Sequence, residues 1–268
     1  MIGYFGAKSI EEQVNAYEFS VCTLVSRGEE YTLLLESLQA AGFNEQNTEF
    51  IYLDNCDKNN FDGYQGINLF LQQATGKYII ICHQDILFNK DNIDDLRARL
   101  EELSEKDSTW AVCGNAGAKG PNHIVYHISY PDDLFMSKGN FPQKVHSLDE
   151  NFIVVKNHTY LNVSADLKGF HLYATDLCLR AELSGFSSYV IAFNLTHKSR
   201  GNRDQSFFKL REKMTKKYDH FFRSRWIQTN STNFYLSGTF LGRLCGNPLS
   251  LFFVRMVNGI KKRLKNGH

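Results

Sequence analysis

No stretch of this chain approaches the roughly 20 apolar residues that a bilayer-spanning helix needs, so the sequence predicts no transmembrane segment. A secretory leader is missing as well. MIGYFGAKSIEEQ has neither a basic start nor an apolar run, and the chain is expected to stay in the cytoplasm. Charge of one sign is not in excess: 30 Lys and Arg stand against 29 Asp and Glu, a formal net charge of +1, which gives no reason to expect nucleic acid. Nor do the six cysteines, Cys22, Cys56, Cys82, Cys113, Cys178 and Cys245, form a C-x-x-C pair. Three of them sit in strand-like runs, where reduced cysteine acts as a small hydrophobe, so a reducing compartment without structural zinc is expected. A dinucleotide fingerprint is also lacking. Gly114, Gly117 and Gly120 have the wrong spacing for one, come late in the chain, and read as a flexible loop.

What is present is organised around residues 76–88, GKYIIICHQDILF. Tyr78 to Cys82 is apolar at every position, which marks a strand covered on both faces and central in an α/β sheet. In open α/β sheets, function concentrates just beyond the carboxyl ends of such strands, and His83 and Asp85 fall there. Side chains at i and i+2 of an extended segment point the same way, and an imidazole beside a carboxylate suits a divalent cation. A plain strand-end turn, with Asp85 as a cap and His83 on the surface, fits the same spacing.

At 268 residues the chain fits one large domain plus an appendage. Ser9 and Glu12 suggest a capping box for a short helix over 9–17. Phe19 to Val25 reads as the first strand. Its end, Ser26-Arg27-Gly28-Glu29-Glu30, leads into a helix over Tyr31 to Ala41 closed by Gly42. Glu49 to Leu53 is the second strand, ending in Asp54, a carboxylate suited to a base or a sugar hydroxyl, or simply to starting a turn. Residues 56–66 read as a loop, Ile67 to Ala74 and Asp91 to Leu103 as helices, and Trp110 to Cys113 as a strand.

Beyond these, residues 121–148 are expected to be an irregular insertion. Phe152 to Val155 and Ser188 to Phe193 read as strands, and a helix is expected from a Thr175 cap, with Asp176 in its first turn. His197 repeats the strand-end setting of His83. After Phe207 the chain turns basic. Leu249 to Lys265, LSLFFVRMVNGIKKRLK, pairs a short apolar run with five basic residues, as an amphipathic helix on an anionic membrane surface would, or a terminal helix packed on the domain.

Taken in order, these elements resemble a family 2 glycosyltransferase of the GT-A fold, of the bacterial type that builds lipopolysaccharide or capsular glycans. The resemblance covers residues 19–200 and implies a twisted, mostly parallel sheet flanked by helices, followed by a C-terminal helical extension. It implies a catalytic domain over 1–205, with a nucleotide half at 19–113 and an acceptor half at 149–200, and a basic helical extension over 206–268. By the same resemblance, Ser26, Arg27, Glu29 and Asp54 hold the nucleotide. His83-Gln84-Asp85 stands where the family has Asp-x-Asp, keeping the last acid and losing the first, so Asp85 contacts both metal and donor diphosphate.

In this comparison His197, in an H-x-S-x-G setting, completes the metal site with His83 and Asp85. Asp176, within FHLYATDLCL, matches the catalytic base, and Asp149, Glu150 and Asp166 compete for that role. The implied reaction is inverting transfer from a nucleotide sugar, expected to be a UDP-sugar, with Mn²⁺ or Mg²⁺, to an oligosaccharide or lipid-linked saccharide. Two other readings of the same residues are a non-catalytic sugar- or nucleotide-binding module of GT-A shape and a nucleotidyltransferase. The latter usually carries a Gly-rich basic phosphate loop after the first strand, which is missing here.

Overall fold

The computed structural model describes residues 14–199, 201 and 204–265, and the chain divides into two compact units on either side of Leu210 and Arg211. In the first unit, chain order runs β1 (Tyr17–Val25), α1 (Gly28–Ala40), β2 (Thr48–Asp54), α2 (Gly63–Gln73), β3 (Gly76–Cys82), β4 (Ile86–Leu87), α3 (Ile93–Lys106) and β5 (Trp110–Gly114). It continues through β6 (Ala116–Gly120), β7 (His123–Tyr130), β8 (Leu134–Lys138), β9 (Gln143–Val145), β10 (Ser147–Leu148) and β11 (Phe152–Lys156). Then come α4 (Tyr173–Leu183), β12 (Ser187–Val190), β13 (Thr196–His197) and α5 (Gln205–Phe222), which runs across the division.

The main sheet has seven strands in the order β2-β1-β3-β11-β5-β12-β9. Strands β2, β1 and β3 pair in parallel, and so do β5 and β12, while β11 and β9 run against their neighbours. The sheet is therefore mostly parallel, and helices flank it. β3 lies inside it between β1 and β11. Tyr78, Ile80 and Cys82 pack with Phe19, Leu34, Leu96 and Trp110 in one core cluster. Ile79 and Ile81 are buried as well, which is why the strand has no polar position to spare.

Several boundaries move for identifiable reasons. Helix α2 begins at Gly63 rather than Ile67, because Asp62 caps it by accepting from Tyr64 N and Gln65 N. Gly66, read as loop, lies where a Cβ would come 2.8 Å from Leu24 Cδ2, so it marks close helix–strand packing. Helix α4 starts at Tyr173, with Leu172 rather than Thr175 at the N-cap. β12 stops at Val190, short of Phe193. The helix expected over 9–17 lies mostly outside the described residues; 14–17 are not helical, and Tyr17 opens β1.

The larger correction concerns 114–148. The glycines expected in a flexible loop lie in β5 and β6, and the expected irregular insertion is β7 to β10. A second sheet runs β10-β6-β7-β13-β4, with β8 paired to β7. Gly117 pairs with Leu148, and a Cβ there would sit 2.3 Å from Ser147 O. Only glycine lets the two backbones approach that closely.

The second unit contains the rest of α5, a hairpin of β14 (Arg225–Gln228) and β15 (Asn233–Leu236), α6 (Phe240–Leu244) and α7 (Pro248–Lys265). The hairpin was not expected in a helical extension. Among the described residues no helix is long and apolar enough to cross a membrane.

Candidate metal and nucleotide site

The chain turns sharply after β3. His83 N donates to Asn151 O at 3.0 Å, fixing the corner beside the start of β11. β4 then pairs antiparallel with β13, with His197 opposite Ile86, and Lys198 N donates to Asp85 O at 2.9 Å. This two-residue ladder brings a distant histidine to the corner. His197 Nε2 lies 3.5 Å and His83 Nδ1 3.9 Å from Asp85 Oδ1. One ligand atom from each of the three residues falls within 4.8 Å of the others.

Their protonation suits a cation. Burial opposes charge on Asp85, yet hydrogen bonds from His197 and Ser199 and the nearby imidazoles hold its carboxyl well below the usual range. Burial, then the charge of His197, lowers His83, which keeps its imidazole neutral and able to donate a lone pair. The outer nitrogen of His83, Nε2, is oriented by Tyr173 OH at 3.0 Å. Ser199 Oγ stands 3.2 Å from His197 Nε2. Two imidazoles and an ionised carboxylate are a donor set that fits a divalent ion.

Beside the three residues lies a cavity of about 390 Å³, lined among others by Ser26, Arg27, Asn55, His83, Asp85 and Tyr173. Ser26, Arg27 and Asp85 thus meet in one place. Asp54 and Glu29 are exposed and not among the lining residues. Asp54 Oδ1 accepts from Cys56 N at 2.8 Å, so it starts a turn, and Asn55 lines the cavity in its stead. The side chain of Asn55 exchanges two hydrogen bonds with the backbone of Phe61 and so shapes the wall.

Asp176, expected as the base, is fully buried; its Oδ2 accepts from Ser164 N at 2.6 Å and its Oδ1 from Ser164 Oγ at 2.9 Å. Its carboxylate fastens the segment before α4 to the helix. Of the competing carboxylates, Asp149 and Glu150 both raise the pKa of Tyr173 after burial, and Asp149 acts against the lowering of His83. Burial, then the charge of Asp149, pushes Glu150 up to about 8, while Leu172 N donates to it. Leu172 is held at φ 61, a left-handed conformation unfavourable for leucine.

Two further residues at the corner, Gln84 and Lys198, were assigned no role from the sequence. Gln84 turns away from His83 and Asp85 toward the β1–α1 loop. Lys198 Nζ approaches Glu30 Oε1 at 3.8 Å, and Arg27 pairs with Glu30 at 2.8 Å. The alternation His-Gln-Asp held the clue for Gln84: if the outer two side chains face one way, the middle one faces the other.

No family model matches the chain. Over 229 residues it is 38% identical to "ATP synthase subunits region ORF 6" of Fuscovulum blasticum, a match covering 82% of this chain and 91% of that protein. The chain belongs to this ORF 6 family. Its family fold is shared with the mannosyltransferase PcManGT from Pyrobaculum calidifontis, solved with GDP-Man and Mn²⁺, at a TM-score of 0.50 and 11% identity over 75% of this chain and 63% of that one. S. aureus TarS 1-349 in complex with UDP aligns at a TM-score of 0.46 and 16% identity, over 68% of this chain and 60% of that one. The ORF 6 family chain thus spans 60–63% of the length of these two solved proteins.

Proposed function

We propose that this chain is a metal-dependent, inverting glycosyltransferase that moves a sugar from a nucleotide donor to a glycan or lipid-linked saccharide. The observation that carries the reading is the convergence of His83, Asp85 and His197 beside a cavity walled by Ser26 and Arg27. That cavity lies past the carboxyl end of β3, where α/β sheets bind ligands. The GDP-Man and Mn²⁺ bound by the mannosyltransferase of like fold agree with a nucleotide sugar and a divalent ion. A UDP-sugar is the first donor to test, and acceptors of the lipopolysaccharide or capsular kind follow from the family 2 resemblance.

In this reading Asp85, His83 and His197 would hold Mn²⁺ or Mg²⁺, whose charge would stabilise a departing diphosphate. Ser26 and Arg27 cradle the nucleotide within 19–113, and the acceptor enters against 149–200. In the same reading Glu150, which accepts from Leu172 N at the start of α4, takes the proton of the attacking hydroxyl. Attack opposite the leaving group inverts the anomeric centre.

Attachment to an anionic membrane surface belongs to the same proposal. Along α7, Leu249, Phe252, Phe253, Val257, Ile260 and Leu264 are all exposed, and the sequence places Lys261, Lys262, Arg263 and Lys265 at its end. Apolar side chains beside a basic end suit an interfacial helix.

The test is a screen of UDP- and GDP-sugars for slow hydrolysis with and without Mn²⁺. Metal-dependent release of nucleotide diphosphate is expected from at least one donor. Metal-dependent binding without any turnover would favour a non-catalytic module, and no binding at all would end the reading.

A further inference from the structure

The middle residue of the corner has been given no role so far. Gln84 is buried, and its Oε1 accepts from both Ser26 N and Arg27 N at 2.9 Å, while its Nε2 donates to Ser26 Oγ at 2.9 Å. One side chain thus makes three hydrogen bonds to the two loop residues that wall the cavity. The loop has few other ties. The N-cap of α1, Arg27, makes no side-chain cap bond, and Ser26 and Arg27 are themselves exposed. Among the described residues, the Gln84 side chain ties this loop directly to the corner that carries His83 and Asp85.

We infer that Gln84 is a positioning residue that sets the β1–α1 loop in register with the corner carrying His83 and Asp85. Rotation or sliding of the loop would break two backbone bonds at once, so the loop and corner move as one piece. The inference rests on the glycosyltransferase reading for what the loop binds, although the bonds themselves do not depend on it. A nucleoside diphosphate spans both halves: its nucleoside end meets Ser26 and Arg27 and its phosphates meet the corner. Preset spacing between the halves lowers the ordering needed on binding. Gln84 itself touches neither the reacting atoms nor the cation in this assignment.

Two variants separate positioning from simple support of the fold. Gln84→Met keeps length and burial but removes all three bonds. Gln84→Glu keeps an acceptor for both amides and reverses the bond with Ser26 Oγ, whose hydroxyl then donates to the carboxylate. In metal-free protein, amide hydrogen exchange at Ser26 and Arg27 is expected to speed up about tenfold or more in Gln84→Met and to stay near parental in Gln84→Glu.

With Mn²⁺ present, calorimetry should find UDP or GDP bound about tenfold more weakly by Gln84→Met, with most of the loss recovered in Gln84→Glu. Affinity for Mn²⁺ alone should remain parental in Gln84→Met. Unchanged exchange and unchanged nucleotide affinity in Gln84→Met would overturn the inference. An equal loss of Mn²⁺ affinity would do so too, because Gln84 would then be holding the corner rather than the loop. If the parent binds neither nucleotide with Mn²⁺, the glycosyltransferase reading fails, and the nucleotide half of the inference falls with it. Parental binding that Gln84→Met leaves intact sinks this inference alone.

Discussion

Asp85 is the residue to which the proposed function assigns both the cation and the donor, and its environment makes a sharp expectation. Its carboxyl is held ionised between His83 and His197, so Asp85→Ala removes the anionic ligand while leaving the cavity walls in place. Turnover at saturating donor should fall by about 10²-fold or more, with Mn²⁺ affinity falling in calorimetry. His83→Ala should be milder, because a neutral imidazole ligand can be replaced by water while the anionic ligand remains. Parental metal affinity in D85A would remove the metal assignment.

Asp176 and Glu150 make the complementary pair at this scale. Asp176→Asn replaces a carboxylate that accepts two bonds from Ser164 with an amide that has a single acceptor oxygen, so unfolding stability should drop by about 1–3 kcal/mol while turnover of the folded protein changes little. Glu150→Gln should lower turnover by about 10²–10⁴-fold with melting largely retained at neutral pH. The sign of its pH effect follows from its raised pKa. A carboxyl that holds its proton more tightly when folded adds stability that is fully present below the ordinary glutamate pKa and lost as pH rises through about 8. Denaturant midpoints of the parent should therefore decline from about pH 4.5 to pH 8 and flatten in E150Q. A parental slope in E150Q would show that the titration belongs elsewhere.

Among the elements, those with a strong period were legible in the sequence. The apolar run of β3, the helical spacing of Ile93, Leu96, Leu100 and Leu103 in α3, and the run of β1 follow from local pattern alone, because each buries a face set by its own period. The second sheet was hidden for the opposite reason. Ala-Gly-Ala-Lys-Gly has no strand propensity, and β6 exists because β7 and β10 hydrogen-bond to it across the turn. The site shows the same division. His83, Asp85 and His197 were visible as strand-end candidates and the turn at Asp54 as one of its two readings, whereas burial of Asp176 against Ser164 is a tertiary fact with no local signature. Gly117 tests the point directly. Gly117→Val would drive a Cβ onto Ser147 O and should cost about 1–3 kcal/mol in denaturant unfolding. A parental midpoint would mean that β6 and β10 are not in this contact.

For the whole molecule, the two units make separable contributions. Removing residues 248–265 should release the protein from anionic liposomes in a sedimentation assay without abolishing donor hydrolysis, since none of the residues assigned to the site lies in α7. Undiminished liposome binding would place any membrane contact outside α7. The order of strands has a consequence of another kind, for how the chain is made. β3 and β5 leave the ribosome well before β11, yet β11 must lie between them, with Val154 opposite both Ile80 and Cys113. Until it arrives, a nascent chain carries two apolar strand edges that await the same late partner, and they are open to pairing with each other or with another chain. A fragment ending near Gly120 should therefore aggregate, however complete its nucleotide loop, and chaperone capture during translation should peak in the interval before Phe152–Lys156 emerges.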